Sequence, residues 1–188
     1  MLDQLRPAIV LTILLSALTG LAYPLTITGA AQAAFPAQAN GSRITRDGVL
    51  VGSALIGQHV SQPAYLWPRP SATGPDPYNA AGSSGSNIGP TGKALVERVA
   101  GAVAARGGGP LPADAVTTSG SGLDPDISPA NARRQLPRVA AARGVDPASL
   151  ETLLAQMTAM PILGIFGEPR VNVLAFNLAL DQQAPLAR

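Results

Sequence analysis

The stretch from Ser119 to Ser128, SGSGLDPDIS, sets two carboxylates, Asp124 and Asp126, among three hydroxyls and two glycines. Carboxylates two residues apart could hold a cation or share acid and base work. A cation, however, needs a third or fourth ligand, and hydrolysis needs a base beside the nucleophile. The sole histidine, His59, is far away in sequence, and the stretch has no G-x-S-x-G nucleophile turn. Turn and cap chemistry, with Asp and Ser serving nearby amides, is the expectation. The run GSNIGPTGKAL places Gly92-Lys93 at a helix start, where amides could cradle a phosphate. It departs twice from a phosphate loop: Asn87 stands where the first glycine belongs, and Ala94 follows Lys93 where a metal-holding Ser or Thr is needed. His59 follows an apolar run and is expected to pack or hydrogen-bond, not to ligate metal. Arg69, Glu168 and Arg170 lie in Pro-flanked loops and read as ion pairs or loop clamps. No assembled catalytic or metal site emerges from these residues.

The elements that would position such groups come from a chain of 188 residues, enough for one domain or a smaller domain with an appendage. Charged residues are 13% of it, about half the ~25% usual for soluble chains, and the mean hydropathy is +0.22. Such a chain is expected to meet lipid. Glycine and proline number 20 and 18, which favours a loop-rich but ordered fold. The absence of cysteine excludes disulfide scaffolds, zinc-thiolate sites and thiol nucleophiles together. The net charge is only +2, and no basic run exceeds Arg133-Arg134, so nucleic-acid binding is not expected.

Between Arg6 and Arg43 lie 36 uncharged residues, beginning AIVLTILLSALTGLAYPLTITGA, long enough for the ~20 apolar residues of a transmembrane helix. Pro7 suits a first helical turn, and Pro24 is expected to kink or end the span. Tyr23 and Phe35 read as interfacial anchors, while Ser16 and Gly20 form a small-xxx-small pair that would admit a neighbouring helix, with lipid-facing filler the bland alternative. Ala31-Gln32-Ala33 and Ala37-Gln38-Ala39 resemble signal cleavage sites, but the charged n-region is thin and the apolar stretch outruns a signal core. Positive charge barely decides orientation, since Arg6 faces Arg43 and Arg46 across the span; export of the large tail is the simpler topology.

The remainder reads as one compact domain. SRITRDGVLVGS predicts a hairpin around Asp47-Gly48, and residues 62–90 a long loop pinned by Tyr65, Trp67 and Tyr78. Helices are expected from Thr91 to Arg106, with Leu95, Val96, Val99 and Val103 on one face, and from Asp126-Ile127-Ser128-Pro129 to Gly144, where Pro137 implies a kink or two shorter helices. Another opens at Asp146-Pro147 with Leu150, Leu153, Leu154 and Met157 at helical spacing. Arg170 to Val173 alternates like a strand, and LAFNLAL leans towards helix. The expected fold is therefore α+β: a single N-terminal transmembrane helix (anchor 1–36, span about 7–29) followed by one small mixed α+β extramembrane domain over 37–188.

Taken in order, LRPA, LTGLAYPLTITG, QANGS, GSALIGQ, RPSA, PYNA, GSNIGPT, VTTSGSGLDPDISPA, QLPRVAAARG and LGIFGEPRVNVLAFNLALD resemble the C-subunit (KdpC) family of Kdp-type potassium-transporting ATPases. Each block alone is weak; ten in order across nearly the whole chain are specific. Pro68 before Arg69, GPTGKAL and the uncharged AMPILG depart from the family pattern. The resemblance implies a non-catalytic subunit of an ATP-driven potassium importer, single-pass in the bacterial inner membrane; the simpler topology, export of the tail, puts its domain on the periplasmic side. Its implied partners are a channel-like potassium-binding subunit, a P-type ATP-hydrolysing subunit and a small membrane subunit. It implies no cofactor of its own, with potassium as the transported ion, and a catalytic chaperone that raises ATP affinity through a ternary complex. The implied nucleotide contact falls on Gln135, in QLPRVA. Against that contact, an exported domain cannot reach cytoplasmic ATP across ~30 Å of hydrocarbon. A different class of function, a secreted or periplasmic small-ligand-binding protein or hydrolase released by signal cleavage, would start near Ala34 or Asn40.

Overall fold

An uncharged run of Leu, Ile, Ala and Val can satisfy its backbone in lipid only by coiling, and the N-terminal segment does so. In the computed structural model, which describes residues 2–186, α1 (Leu5–Ala17), a π turn (Leu18–Ala22) and α2 (Tyr23–Ala34) run on as one helical stretch. Its 30 residues have a mean hydropathy of 2.0 in their most apolar window, none of it buried. At 1.5 Å per residue the stretch is about 45 Å long, more than the ~30 Å hydrocarbon layer. Pro24 neither ends the helix nor breaks it. The turn before it widens instead, the Tyr23 N–H donating to the Leu18 carbonyl five residues back, which makes room for the ring and its missing donor. The Thr19 and Thr26 hydroxyls donate to the Leu15 and Ala22 carbonyls at 2.7 Å each, so neither needs water.

After α3 (Pro36–Ala39), β1 (Arg43–Arg46) and β2 (Val49–Ser53) form a two-stranded hairpin. Asp47 and Gly48 take φ of 52° and 78°, the left-handed pair that a tight primed turn demands. The chain divides into two compact units, the first ending at Val51 and the second beginning at Gly52.

The second unit packs three helices on a small sheet. Its elements are α4 (Lys93–Ala105), α5 (Ala113–Val116), β3 (Asp126–Ile127), α6 (Pro129–Arg143), α7 (Pro147–Met157), β4 (Thr158–Ala159), β5 (Arg170–Asn172) and α8 (Val173–Gln183). The sheet order is β3-β5-β4, antiparallel, with Val171 opposite both Ile127 and Thr158. Leu136 and Val139 of α6, Leu150, Leu153 and Leu154 of α7, and Phe176 and Leu180 of α8 close over Val171 and Leu66 as one core. Full burial of each such side chain contributes about 1.5–3 kcal/mol.

Local chemistry sets the helix ends. The Ser128 hydroxyl accepts the Asn131 N–H at 3.0 Å, the Asp146 carboxylate that of Ala148 at 3.0 Å, and the Asn172 side chain that of Ala175 at 2.9 Å. Gly144, at φ 67°, closes α6 in the left-handed conformation. Ser128 is thus the cap, while Asp126 and Ile127, expected to share that task, form β3. Pro137 does not divide α6, because it sits on the exposed side where water can serve the carbonyl its ring deprives of a donor. LAFNLAL is helical, as its spacing suggests. On α4 Leu95, Val99 and Val103 are half-buried, but Val96 is exposed and no residue is fully buried.

Candidate functional site

The proline-rich loop after Gln62 cannot join a sheet, yet its backbone at Leu66 and Trp67 is buried or half-buried and needs partners. Two side-chain amides supply them. The Leu66 N–H donates to Asn177 Oδ1 at 2.9 Å, and Asn177 Nδ2 donates to the Leu66 carbonyl at 3.0 Å. The Trp67 N–H donates to Gln135 Oε1 at 2.8 Å, and Gln135 Nε2 donates to the Trp67 carbonyl at 3.1 Å. Two carboxamides on α6 and α8 therefore do for successive loop residues what a neighbouring strand would do. Gln135 is further engaged by Asn131 Oδ1 at 3.2 Å and by Arg138 Nη2 at 2.7 Å.

Two guanidiniums complete this clamp. Arg138 stacks 3.8 Å over the Trp67 ring and donates to the Pro63 carbonyl. Arg143, its side chain 1% exposed, donates to the Ala64 and Ala184 carbonyls at 2.7 and 2.6 Å and to Asp181 at 2.7 Å. It also lies 4.6 Å over the Tyr65 ring, whose hydroxyl donates to Asp181 at 3.2 Å. Burial, then the Asp181 hydrogen bond and charge, push the Tyr65 phenol up. The three rings do pin the loop: Trp67 Nε1 donates to the Gln62 carbonyl at 2.9 Å and the Tyr78 hydroxyl to the Arg69 carbonyl at 2.8 Å.

The expected carboxylate pair lies in a groove of about 550 Å³ that Arg69, Asp114, Asp124, Asp126, Glu168 and Arg170 line. Four of its charges form two ion pairs and Asp114 is held by neutral donors. Arg69 meets Asp124 at 2.9 Å, Arg170 meets Asp126 at 3.1 Å, and Asp114 accepts from the Ser128 N–H, the Ser128 hydroxyl and Asn131 Nδ2 at 2.7, 2.9 and 3.0 Å. Ser119 and Ser121 accept from the Gly122 and Leu123 amides at 3.0 and 3.1 Å. This is the turn and clamp chemistry read from the sequence; Glu168, on the rim, is exposed. Burial, then the neighbouring Asp124 charge, raise Asp126 above the usual carboxylate range despite Arg170. Among the described residues no group of three His, Asp or Glu side chains is placed to hold a metal ion. His59 is exposed, and Lys93 makes an exposed pair with Glu97 at 3.5 Å.

A second recess, of about 280 Å³, is lined by Trp67, Asn131, Gln135 and the three arginines 106, 134 and 138, with no carboxylate in its wall. Burial first, then the charge of Arg134, hold Arg106 and Arg138 below the usual guanidinium range. In the first unit, Ser16 and Gly20 lie four apart on the exposed helical stretch, and a side chain added at Gly20 would meet nothing within 4 Å. The residues themselves point to Arg69, Arg170 and the carboxylates, and the family resemblance points to Gln135. Sequence reasoning missed Asn131, Arg138, Arg143, Asn177 and Asp181, although a single Asn inside the apolar LAFNLAL is a legible sign of a buried amide with a task.

Residues 5–182 match the family described as K+-transporting ATPase, c chain. The chain is 55% identical over 188 residues to the potassium-transporting ATPase KdpC subunit of Variovorax paradoxus (strain S110), covering 97% of each. It is 57% identical over 190 residues to the KdpC subunit of Caulobacter vibrioides (strain NA1000 / CB15N), covering 98% of this chain and 96% of that one. To the KdpC subunit of Gemmatimonas aurantiaca it is 57% identical over 186 residues, covering 96% and 94%.

Proposed function

The chain belongs to the family of K+-transporting ATPase C chains, and from that premise we propose that it is a structural, non-catalytic subunit of an ATP-driven potassium importer. The observation that carries the reading is that the match runs from residue 5, so the apolar head and the folded domain belong to one conserved unit. Asp114, Asp124 and Asp126 and the buried amides are engaged in ion pairs, caps and the loop clamp, which supports a scaffold in preference to a reacting centre. The partners are a channel-like potassium-binding subunit, a P-type ATP-hydrolysing subunit and a small membrane subunit; potassium is cargo, not a cofactor. Residues 1–36 anchor the chain once in the bacterial inner membrane, and the 37–188 domain lies on the periplasmic side.

Ser16 and Gly20 are the helix-packing pair in this reading. Gly20→Leu meets no obstacle within the chain and improves helix propensity, so any loss must come from a partner. The test is co-purification of the tagged full-length chain with the ATP-hydrolysing subunit from detergent-solubilised membranes. Wild type should carry potassium-stimulated ATPase activity with it, and Gly20→Leu should recover less of both. A shortened chain released into the aqueous fraction, starting near Ala34 or Asn40 by N-terminal sequencing, would remove the subunit reading.

Nucleotide contact through Gln135 in a ternary complex is a finer part of the proposal. It requires the Gln135 amide to give up bonds to Trp67, Asn131 or Arg138. Gln135→Ala separates the roles: a changed ATP dependence of the complex at unchanged chain stability supports contact, whereas lost stability with unchanged ATP dependence leaves the clamp alone.

A further inference from the structure

The turn between β4 and β5 carries five large apolar side chains in seven residues, and it turns them all outwards. Met160, Ile162, Leu163, Ile165 and Phe166 are 65–84% exposed, Leu163 the most. Together they offer on the order of 600 Å² of apolar surface, at the upper limit of the largest patch on an ordinary monomer and near the ~800 Å² that one side of a stable interface buries. No charge lies between Glu151 and Glu168.

The turn is fixed in shape. The Ile162 N–H donates to the Phe166 carbonyl and the Phe166 N–H to the Ile162 carbonyl, both at 3.0 Å. The Gly164 N–H donates to Pro161 at 3.0 Å and that of Ile165 to Ile162 at 3.2 Å, so four donors at the tip need no water. Leu163 and Gly164 both have positive φ, 55° and 72°. Glycine or asparagine adopts that conformation at little cost; leucine does not, and nothing inside the chain covers the Leu163 side chain to offset it.

We propose that the Met160–Phe166 turn is a docking knob that seats in an apolar recess on a membrane-embedded partner subunit of the pump. This rests on the subunit reading above and names the surface through which the domain engages. A fluid bilayer gains nothing from a side chain held in one strained geometry, whereas a shaped recess does, because the knob arrives with its conformational entropy already lost. The turn also lacks the Lys, Arg, Trp and Tyr that settle at headgroup level, and its nearest charges on both sides are glutamates, which anionic lipid repels. A second copy of this chain would bring convex against convex.

Because the chain has no cysteine, Met160→Cys at the edge of the knob can carry one environment-sensitive fluorophore. The labelled full-length chain is compared alone, one per phosphatidylethanolamine/phosphatidylglycerol nanodisc, and in the co-purified complex. Water-like emission open to iodide is expected alone, and a blue shift with about fivefold weaker quenching in the complex. Protection already present in the single-chain disc assigns the turn to lipid, protection that appears with two chains per disc assigns it to self-association, and an open fluorophore in the complex leaves it undocked; each overturns the proposal. Leu163→Asn is the companion, since asparagine accepts the left-handed conformation: the chain should unfold at the same or a higher temperature while retention in the complex falls about tenfold. Unchanged retention overturns the knob. If the wild-type chain does not co-purify with the pump, the subunit reading fails first; if it does and either probe gives the contrary result, the knob alone is lost.

Discussion

Arg143, at the end of α6, ties two distant segments to that helix: the loop at Ala64 and the end of α8, where it meets both Asp181 and the Ala184 carbonyl. Its charge is almost wholly removed from water, so its worth shows when one partner is taken away. Arg143→Ala should destabilise the full chain by about 3–5 kcal/mol, because Asp181 loses its buried cation, keeping the Tyr65 hydroxyl, and two carbonyls lose the guanidinium that donates to them. Arg143→Lys should recover little of it, since one ammonium cannot reproduce a planar fork; chemical unfolding in detergent micelles measures both. Asp126 works in the opposite sense. Its proton is held more tightly in the folded chain than in the unfolded one, so its contribution is fully present below the unfolded carboxylate range and is lost as pH rises through the raised folded value. Asp126→Asn should therefore flatten the decline in unfolding temperature on the way from acid towards neutral pH. A decline of the same size in the variant would assign it to another group.

At the level of elements, what the sequence disclosed and what it withheld divide by range. The Asp47-Gly48 turn, the Asp146 cap and the Leu150, Leu153, Leu154 stripe are local patterns, and each became the element its spacing implied. The steric rule for an internal proline predicts a kink or an end; the helix ends at neither Pro24 nor Pro137, because a π turn before the first and solvent beside the second relieve what that rule forbids. The carboxamide clamp was out of reach. Gln135 and Asn177 lie 68 and 111 residues from the backbone groups they serve, and periodicity carries no information over that distance. The clamp makes the loop behave as a surrogate strand, with a consequence for stability: Asn177→Leu keeps apolar volume but strands both polar groups of Leu66, whose residue is 0% exposed. The loss should be about 2–4 kcal/mol, together with faster proteolytic cutting between residues 62 and 73. Loop cutting as slow as in wild type would mean that the rings alone hold this segment.

For the whole molecule, the side of the membrane on which the domain folds decides between its two proposed tasks. The apolar stretch is long enough to cross the bilayer, but Arg6 at one end and Arg43 and Arg46 at the other give little charge asymmetry to orient it. In the proposed topology the tail is exported, and that would set ~30 Å of hydrocarbon between Gln135 and cytoplasmic nucleotide. The cysteine-free sequence allows a direct test. Gln182 is exposed near the end of α8, so Gln182→Cys presents one thiol without disturbing the core. A membrane-impermeant maleimide should label it fully in intact spheroplasts, and permeabilisation should add nothing. Labelling that appears only after permeabilisation would put the domain in the cytoplasm, restore direct nucleotide contact as a physical option, and remove any role at the outer face of the pump. With labelling from outside, an effect of this chain on ATP affinity has to pass through the helices of its partners, and the Ser16–Gly20 face then becomes the place where substitutions should alter the ATP dependence of the assembled complex.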